Sequence, residues 1–376
     1  MKTIFFFLIC VLLSSCKENS PIANFTLAPN STSEITIDNI KTDTIVLETV
    51  PTSYEIESNI FNDRIFLVDK YFTTLYEYNP SGEFIKKHLG KGRAKNETTI
   101  GRIATHTFTD DNLFMLNMSG AHCFYDKNLL FKDLFVITYD RDFDESKVYD
   151  TPSAYTHCYG NIVCRSYKNS IFFNAELLHL ETNIISTTEQ HLKRNANILE
   201  VDAKTQDFGR LLAIGYPESY SQDTESKVLF SSVNFDVDNK GTFYVTYEAD
   251  SLIYVYNDDF EMRHCYGFAG RDMDLNYKRI NTVKEIKKNN KAERAAKGYY
   301  NWIEYVDDQK TLFRSYQKGG ACNFDGLQIY RDGVLIGDVD VPKGLKVMGF
   351  IEPYYYSYII PDEESERIYM YRFKLE

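Results

Sequence analysis

Long apolar runs are nearly absent from this chain. The longest is Ile4–Leu13, which has ten residues, about half of the ~20 that a helix needs to cross a bilayer. Lys2 precedes this run, and the small residues Ser14 and Ser15 follow it. A charged start, a short apolar stretch and small residues at a cleavage site are typical of a secretory signal peptide. We therefore predict that residues 1–15 are a signal peptide and that no later segment spans a membrane.

An excess of basic residues is also missing. The 42 Lys and Arg residues are outnumbered by 54 Asp and Glu residues, which gives a formal net charge of −12. Without a basic surface the chain cannot neutralise many phosphates, so the composition argues against binding to nucleic acid. It argues equally against binding to anionic lipid by charge alone.

Common catalytic and metal-binding motifs are missing as well. The sequence holds no GxSxG, HExxH, P-loop or EF-hand pattern. Gly90-Lys91-Gly92 lacks the following Ser or Thr that a P-loop needs, and the cysteines form no close CxxC pairs of the kind that bind zinc. We accordingly expect no cofactor, no metal site and no catalytic residue that can be named from a motif.

Cys16, directly after Leu13-Ser14-Ser15, is the first positive signal. This arrangement resembles the lipobox of bacterial lipoproteins, in which the cysteine is acylated and becomes the new N-terminus; the alternative is a plain signal peptide with an incidental cysteine. Each buried CH₂ contributes ~0.8 kcal/mol, so a multiply acylated Cys16 would hold the protein on a membrane. Lys17 stands where an inner-membrane retention signal usually has Asp, which favours an outer-membrane lipoprotein facing the periplasm or the surface. Residues 16–40 are polar, and we predict that they form a flexible tether.

Five cysteines remain after Cys10 in the signal peptide and Cys16 at the cleavage site: Cys123, Cys158, Cys164, Cys265 and Cys322. Because their number is odd, at least one is unpaired or pairs with another chain. Cys158 and Cys164 flank a Gly160-Asn161 turn. They could form a disulfide in an oxidising envelope or be two small buried thiols, and we favour the thiols.

Aromatic residues are abundant, with 29 Tyr and 26 Phe but a single Trp. Aromatic side chains favour β-strands. Tyr also suits a surface that binds sugars or peptides, because it has an apolar face and a polar tip. The composition alone is explained by half-buried strands of an all-β protein.

A turn followed by a strand recurs along the chain. Six copies begin at Asn62-Asp63, Asp110-Asp111, Tyr159-Gly160-Asn161, Asp238-Asn239, Asp307-Asp308 and Glu352-Pro353. Most copies continue into an alternating, aromatic strand and then a polar hairpin turn such as Asn79-Pro80-Ser81-Gly82. A unit of about 45 to 50 residues with about four strands is typical of a propeller blade.

This spacing predicts an all-β, six-bladed β-propeller over residues 41–376. The expected blades cover residues 54–90, 103–137, 154–216, 230–270, 301–340 and 346–373. Insertions are expected near residues 168–195 and 273–299, and VKEIKKNNKAERAAKG in the second of these predicts a short helix between blades four and five that ends at Gly298. Residues 43–49 could supply the outer strand that the last blade lacks, which would close the ring and remove a sheet edge.

The lipobox, the polar tether and the NDRIFLVD…LYEYNPSGEFIKKHLGKG pattern of the first blade together resemble the six-bladed β-propeller lipoproteins of Bacteroidetes. The chain departs from their usual Pro-Gly before Glu97, where it has Lys95-Asn96. The ring also resembles NHL and TolB-like propellers, which include both binding modules and enzymes. The resemblance implies a fold and a location in the cell envelope but no particular activity.

The histidines show no metal-ligand spacing, since no two of the seven lie within ten residues of each other. Three directly precede a cysteine, in His122-Cys123, His157-Cys158 and His264-Cys265. Adjacent residues of a strand point to opposite faces, so these are poor candidates for a nucleophile and its base. A propeller can instead gather distant residues in its central channel, and the candidates for the channel are Glu55, Arg102, His106, His157, Asp236 and Trp302.

Two classes of function are compatible with these features. The favoured one is a binding or scaffold propeller, anchored by lipid at the outer membrane, for a glycan, a peptide or an envelope protein partner. The alternative is an envelope hydrolase or lyase that uses channel-lining His, Asp and Glu side chains, with or without a metal. Convergence of at least three such side chains at one end of the channel would favour the enzyme.

Overall fold

The computed structural model describes residues 25, 27–94, 97, 101–109, 112–117, 120–136, 162–175 and 197–375. Within these ranges the chain is mostly β-strand, arranged as six small sheets around a common axis. This is the six-bladed β-propeller that the repeats predict.

Two strands precede the first blade: β1 (Thr32–Ile37) and β2 (Thr42–Val46). Each of the first two blades is then a four-stranded antiparallel sheet. Blade one comprises β3 (Ile56–Phe61), β4 (Arg64–Asp69), β5 (Thr74–Tyr78) and β6 (Phe84–Lys87). Blade two comprises β7 (Ile103–Phe108), β8 (Asn112–Asn117), β9 (Ala121–Asp126) and β10 (Phe131–Val136).

Blades three and four have the same four-stranded form. Blade three comprises β11 (Cys164–Tyr167), β12 (Ser170–Ala175), β13 (Asn197–Asp202) and β14 (Asp207–Ala213). Blade four comprises β15 (Val233–Val237), β16 (Phe243–Tyr247), β17 (Ile253–Tyr256) and β18 (Met262–Tyr266).

The last two blades each gain a strand from the N-terminal part of the chain. Blade five comprises β19 (Tyr299–Val306), β20 (Thr311–Gln317), β21 (Phe324–Arg331) and β22 (Val334–Pro342), and β1 pairs with β22 in parallel. Blade six comprises β23 (Val347–Ile351), β24 (Tyr354–Ser357), β25 (Ile360–Asp362) and β26 (Arg367–Phe373). Its outer strand is β2, antiparallel to β26, so a strand that precedes blade one completes the sheet of blade six.

Packing between blades explains why the ring is stable. One apolar cluster fills each of the six junctions between neighbouring blades. The inner strands β3, β7, β11, β15, β19 and β23 contact one another in order around the axis, and β23 contacts β3. Because alternate residues of a strand point to opposite faces, each blade contributes apolar side chains to both of its junctions.

Short helices lie outside the sheets. Glu218–Ser221, Thr224–Lys227 and the 3₁₀ turn Val228–Phe230 precede blade four's first strand. The predicted helix between blades four and five is Val283–Ala296, hereafter the insertion helix, and the Thr282 side chain accepts a hydrogen bond from Glu285 N at its start. No helix within the described residues is long and apolar enough to cross a membrane.

The two ends of the channel differ. Turns between the first and second strands, such as Asn62-Asp63, lie at one end, which we call the lower face. Asn62 and Asp63 have φ of 49° and 55°, a conformation that Asn and Asp tolerate in tight hairpins. At the other end, the upper face, lie the longer connections between blades, including residues 214–232 and 267–298.

The predicted flexible tether requires a correction. Residues 27–37 lie against the propeller: Asn30 N donates to Cys265 O at 2.9 Å, Ser31 Oγ donates to Gly267 O at 3.0 Å, and β1 extends blade five. Polar composition was a misleading signal here because β1 is added at an outer edge, where its side chains face solvent and only Ile37 is buried.

A second correction concerns blade three. The sequence repeat treats Tyr159-Gly160-Asn161 as the turn between the first and second strands, but Cys164–Tyr167 is the first strand and its turn is at Lys168 and Asn169. The insertion expected near residues 168–195 therefore includes the second strand, β12. The strands of a blade are short, aromatic and similar in composition. Assigning the repeat to the wrong strand of blade three therefore still gives the expected pattern of turns and strands.

Candidate functional site

A cavity of about 290 Å³ lies in the central channel. Its walls come from inner strands and from connections at the upper face. Blade one contributes Ile56, Glu57, Ser58 and Asn59; blade two, Thr105 and His106; the region of β11, Ile162, Cys164 and Arg165; and the remainder is Trp302, Gly344, Lys346, Tyr358 and Ile359. Hydroxyl, amide, charged and aromatic groups thus surround one small space.

Glu57 is the centre of the first charged group in the cavity wall. Lys70 Nζ lies 2.8 Å from Glu57 Oε1, and His106 Nδ1 lies 3.1 Å from Glu57 Oε2. Burial alone would raise the pKa of Glu57, but the hydrogen bond from His106 and the charge of Lys70 together lower it. Glu57 is therefore ionised at neutral pH. His106 Nε2 is buried and has no hydrogen-bond partner among the described residues.

Arg165 forms the second charged group, together with two carboxyl groups. Its Nε lies 2.7 Å from Asp236 Oδ1, and its Nη2 lies 2.9 Å from Glu304 Oε2. Tyr305 N donates to Asp236 Oδ2 at 2.6 Å. Burial raises the pKa of both Asp236 and Glu304, and the nearby guanidinium only partly opposes this rise. The protein thus keeps two acidic groups and one arginine largely out of water.

Trp302 connects this network to the cavity. Its Nε1 donates to Val347 O at 2.9 Å and to Glu304 Oε2 at 3.2 Å. The Arg165 guanidinium lies 4.7 Å from the ring centroid, and Tyr358 packs edge-on at 4.7 Å. These contacts fix the indole as part of the cavity wall.

Lys346 is the remaining cation of the cavity. Its ammonium lies 5.4 Å from the Trp302 ring centroid and makes no ion pair or hydrogen bond with any residue that the structure describes. Burial lowers the pKa of Lys346, while the more distant Glu248 and Asp325 oppose that effect. Both of these acids have other partners, since Arg294 binds Glu248 and Gly344 N donates to Asp325.

The insertion helix packs on the upper face next to the cavity. Arg294 of the insertion helix donates to Glu248 at 2.9 Å and to Leu229 O at 2.8 Å. Beneath the helix lies an apolar cluster that includes Phe230, Tyr277 and Ile286. The insertion is therefore packed onto blade four, and the charge of its Arg294 helps to lower the pKa of Lys346.

The residues predicted for the channel are found in three different situations. His106 and Trp302 line the cavity, and Asp236 lies behind it against Arg165. Glu55 and Arg102 form an ion pair of 2.7 Å whose side chains are 44% and 49% exposed, so they belong to the rim. His157 lies outside the described residues.

Sequence reasoning missed Glu57, Arg165, Glu304 and Lys346. Arg165 was missed because the shift in blade three assigned it to a second strand. Glu57 and Glu304 lie within first strands, each directly after an isoleucine. Because neighbouring strand residues point to opposite faces, this position could have indicated a side chain that faces the channel. Lys346 lies in a connection and carries no such signal.

The buried cysteines among the described residues and the His122-Cys123 pair are packed in the junctions between blades, and His157 lies outside the described residues together with Cys158. Cys164, which could have paired with Cys158, is a buried free thiol, and Cys158 lies outside the described residues. Cys123 is part of the cluster between blades one and two, while His122 stacks on Phe135 with ring centroids 5.0 Å apart. Neighbours in this strand thus face opposite junctions. Among the described residues no group of three His, Cys, Asp or Glu side chains is arranged to hold a metal ion.

Comparisons with known proteins give the fold but no assigned activity. No protein-family model matches the chain, and no curated protein matches it. A solved structure of a member of the DUF4221 family from Bacteroides vulgatus is similar, with a TM-score of 0.65 and 12% identity, over 92% of this chain and 99% of that one.

A second similar structure is a protein from Bacteroides fragilis NCTC 9343 whose name marks it as a predicted exported protein. Its TM-score is 0.52 at 11% identity, over 93% of this chain and 100% of that one. At such low identity these similarities show a shared fold. The chain has a β-propeller fold that also occurs in Bacteroides proteins.

Proposed function

We propose that this protein is a cell-envelope lipoprotein whose propeller binds a glycan, a peptide or an envelope protein partner at its upper face. The cavity in the channel carries the proposal. It combines two aromatic walls, Trp302 and Tyr358, with hydroxyl and amide groups and with a cation, Lys346, that has no ion-pair partner among the described residues. Mostly preformed concave sites with a few convergent polar groups are where small ligands bind.

The size of the cavity indicates what part of a ligand it would hold. At about 290 Å³ it is near the lower end of the roughly 300–1,000 Å³ of small-molecule sites. It would accept one sugar ring or one side chain. A longer ligand would continue over the upper face, where the insertion helix and residues 214–232 lie.

The test of binding is a thermal-shift screen of the full-length chain in detergent against glycans and peptides. A ligand that binds only the folded state stabilises it by about 2.7 kcal/mol at one hundred times its Kd, so the melting temperature should rise. Trp302→Leu should abolish that rise, whereas Tyr369→Leu in β26 of blade six, away from the cavity, should keep it. If no glycan or peptide shifts the melting temperature, the binding role is wrong for these ligands.

The lipid anchor is tested separately. Metabolic labelling with an alkyne fatty acid should modify the wild-type chain and not Cys16→Ala, and the variant should leave the membrane fraction. The Cys322→Ala variant is the control, because Cys322 is a partly exposed thiol of the propeller. Equal labelling of Cys16→Ala and the wild-type chain would contradict lipidation at this residue. The export named for the Bacteroides fragilis protein supports an envelope location.

A hydrolase or lyase is the second candidate, and the His106–Glu57 pair favours it. A histidine held by a carboxylate through Nδ1, whose Nε2 has no partner among the residues that the structure describes, is suited to acid–base chemistry. A screen of lactones and acidic glycosides should then show turnover that His106→Gln removes. Turnover that survives this substitution would exclude His106 as the base.

A further inference from the structure

One cation of the cavity wall, Lys346, forms no direct ion pair with any residue that the structure describes. Glu57 is paired with Lys70, and Arg165 is paired with Asp236 and Glu304. The Lys346 ammonium lies beside the Trp302 ring, and the two acids that influence its pKa, Glu248 and Asp325, are bound by Arg294 and by Gly344 N. A partly buried, unpaired ammonium is costly, and an anionic group of a ligand would remove that cost.

His106 adds a second incomplete group in the same wall. The ionised Glu57 can only accept hydrogen bonds, so His106 Nδ1 carries the proton between them. In the neutral imidazole Nε2 is then an acceptor, and it is buried without a partner among the described residues. Buried polar atoms normally have partners, and a ligand hydroxyl would supply one here.

The other walls suit a ring that carries hydroxyl groups. Trp302 and Tyr358 provide an aromatic surface, and Ser58, Asn59 and Thr105 provide polar side chains. Because Lys346 lies 5.4 Å from the indole centroid, an anion bound to Lys346 would bring its own ring beside Trp302.

We propose that the cavity binds a sugar acid, with the carboxylate on Lys346, a hydroxyl on His106 Nε2 and the ring beside Trp302. A hexuronate at the end of a glycan has this chemistry and this size. The inference rests on the proposed binding function and narrows it to acidic glycans.

Trp302 makes the test direct, because it is the single tryptophan of the chain and lies in the cavity. We would titrate the full-length protein in detergent with glucuronate and follow indole fluorescence under selective excitation. Glucuronate should give a saturable change. Glucuronamide, which replaces the carboxylate by a neutral amide, should bind at least about tenfold more weakly, equivalent to about 1.4 kcal/mol. This comparison uses the wild-type chain and is independent of how any variant folds.

Two lysine variants then test whether Lys346 contacts the carboxylate. Lys346→Met should weaken glucuronate binding at least tenfold and leave the weak binding of glucuronamide unchanged. Lys127→Met is the matched control, because Lys127 is exposed in the turn between β9 and β10, and its affinity should equal that of the wild-type chain.

Three outcomes would overturn the inference. Equal affinity for glucuronate and glucuronamide would mean that no carboxylate is recognised. Equal losses in Lys346→Met and Lys127→Met would mean a general charge effect. Tighter binding of an acidic dipeptide than of glucuronate would redirect the site to peptides while leaving the binding function intact, whereas no response to any sugar or peptide would remove the proposed function as well.

Discussion

Two buried arginines show how differently this propeller uses the same side chain. Arg165 lies in the central channel between Asp236 and Glu304. Arg314 is buried at the junction of blades four and five and forms no ion pair with a carboxylate of the described residues. Its guanidinium donates instead to Ser251 O at 2.9 Å, to Phe268 O at 2.8 Å and to the Gln328 side chain, and it lies 3.9 Å from the centroid of Tyr300.

The two sets of partners indicate that Arg314 stabilises the scaffold and that Arg165 belongs to the candidate site. Neutral carbonyl oxygens and an aromatic face hold Arg314 in one geometry and tie blade five to the start of the insertion that follows blade four. Carboxyl groups hold Arg165 with titratable partners beside a cavity, where perturbed pKa values are typical of functional sites. The channel is therefore the region in which charge can respond to a ligand or to pH.

The largest effect is expected from removing Arg165. Arg165→Met leaves Asp236 and Glu304 buried without their cation, and breaking such a pair costs about 3–5 kcal/mol of unfolding free energy. Urea denaturation measures this. Adding Asp236→Asn and Glu304→Gln to Arg165→Met should recover a large part of the loss, because the uncompensated charges are gone. No recovery would mean that Arg165 acts through packing.

Removing Arg314 should cost less and should not be repaired by changing an acid. Arg314→Met leaves Ser251 O and the Gln328 side chain with fewer donors, at about 2–3 kcal/mol in total. Arg314→Lys should restore little of this, because an ammonium cannot reproduce the planar fork over Tyr300. Denaturation of both variants in urea checks the prediction, and full restoration by lysine would contradict the proposed geometry.

The pH dependence of stability should distinguish the two arginines next. Burial raises the pKa of Asp236 and Glu304, so the folded state holds protons that the unfolded chain has already released. Stability must then fall as pH rises above the usual carboxyl range, by about 1.4 kcal/mol for each unit of pKa difference.

Unfolding free energies measured between about pH 5 and 8 test this. Glu304→Gln should flatten the dependence, and Arg165→Met should steepen it. Arg314→Met should leave the slope unchanged, since the contacts of Arg314 in the described part of the chain are carbonyl oxygens, an amide and aromatic rings. A slope that is the same in all three variants would refute the assignment to the channel carboxyl groups.

The smallest effect is expected at the rim of the same channel. Arg102 pairs with Glu55 at 2.7 Å, but both side chains are nearly half exposed. Arg102→Gln should therefore change the unfolding free energy by about 0–1 kcal/mol. A loss as large as that of Arg165→Met would show that the rim is less solvated than its exposure indicates.

The sequence predicts the repeated parts of this fold well. Turns such as Asn62-Asp63 and Asp307-Asp308 need particular residues, so their chemistry marks the lower face in the sequence. The insertion helix is equally readable, because Val283–Ala296 lacks proline and is capped by Thr282.

The candidate site is less predictable because its residues depend on long-range partners. Arg165 and Glu304 come from blades three and five and meet only when the ring forms. His106 and Trp302 were identified because they lie on first strands next to clear turns, while the shift in blade three concealed Arg165. Strand β1 was missed for a related reason, since a solvent-facing edge strand carries no alternating apolar pattern.

The N-terminal strands have a mechanical consequence. Phe25 packs against Tyr247 and Tyr254 of blade four, β1 continues along blade five, and β2 completes blade six. A pulling force applied to the chain before residue 25 would first load the contacts of Phe25 with blade four and then the parallel pairing of β1 with β22. It would reach β2 only after these contacts are broken. The pairing of β2 with β26 would therefore bear load only after these two earlier attachments have given way.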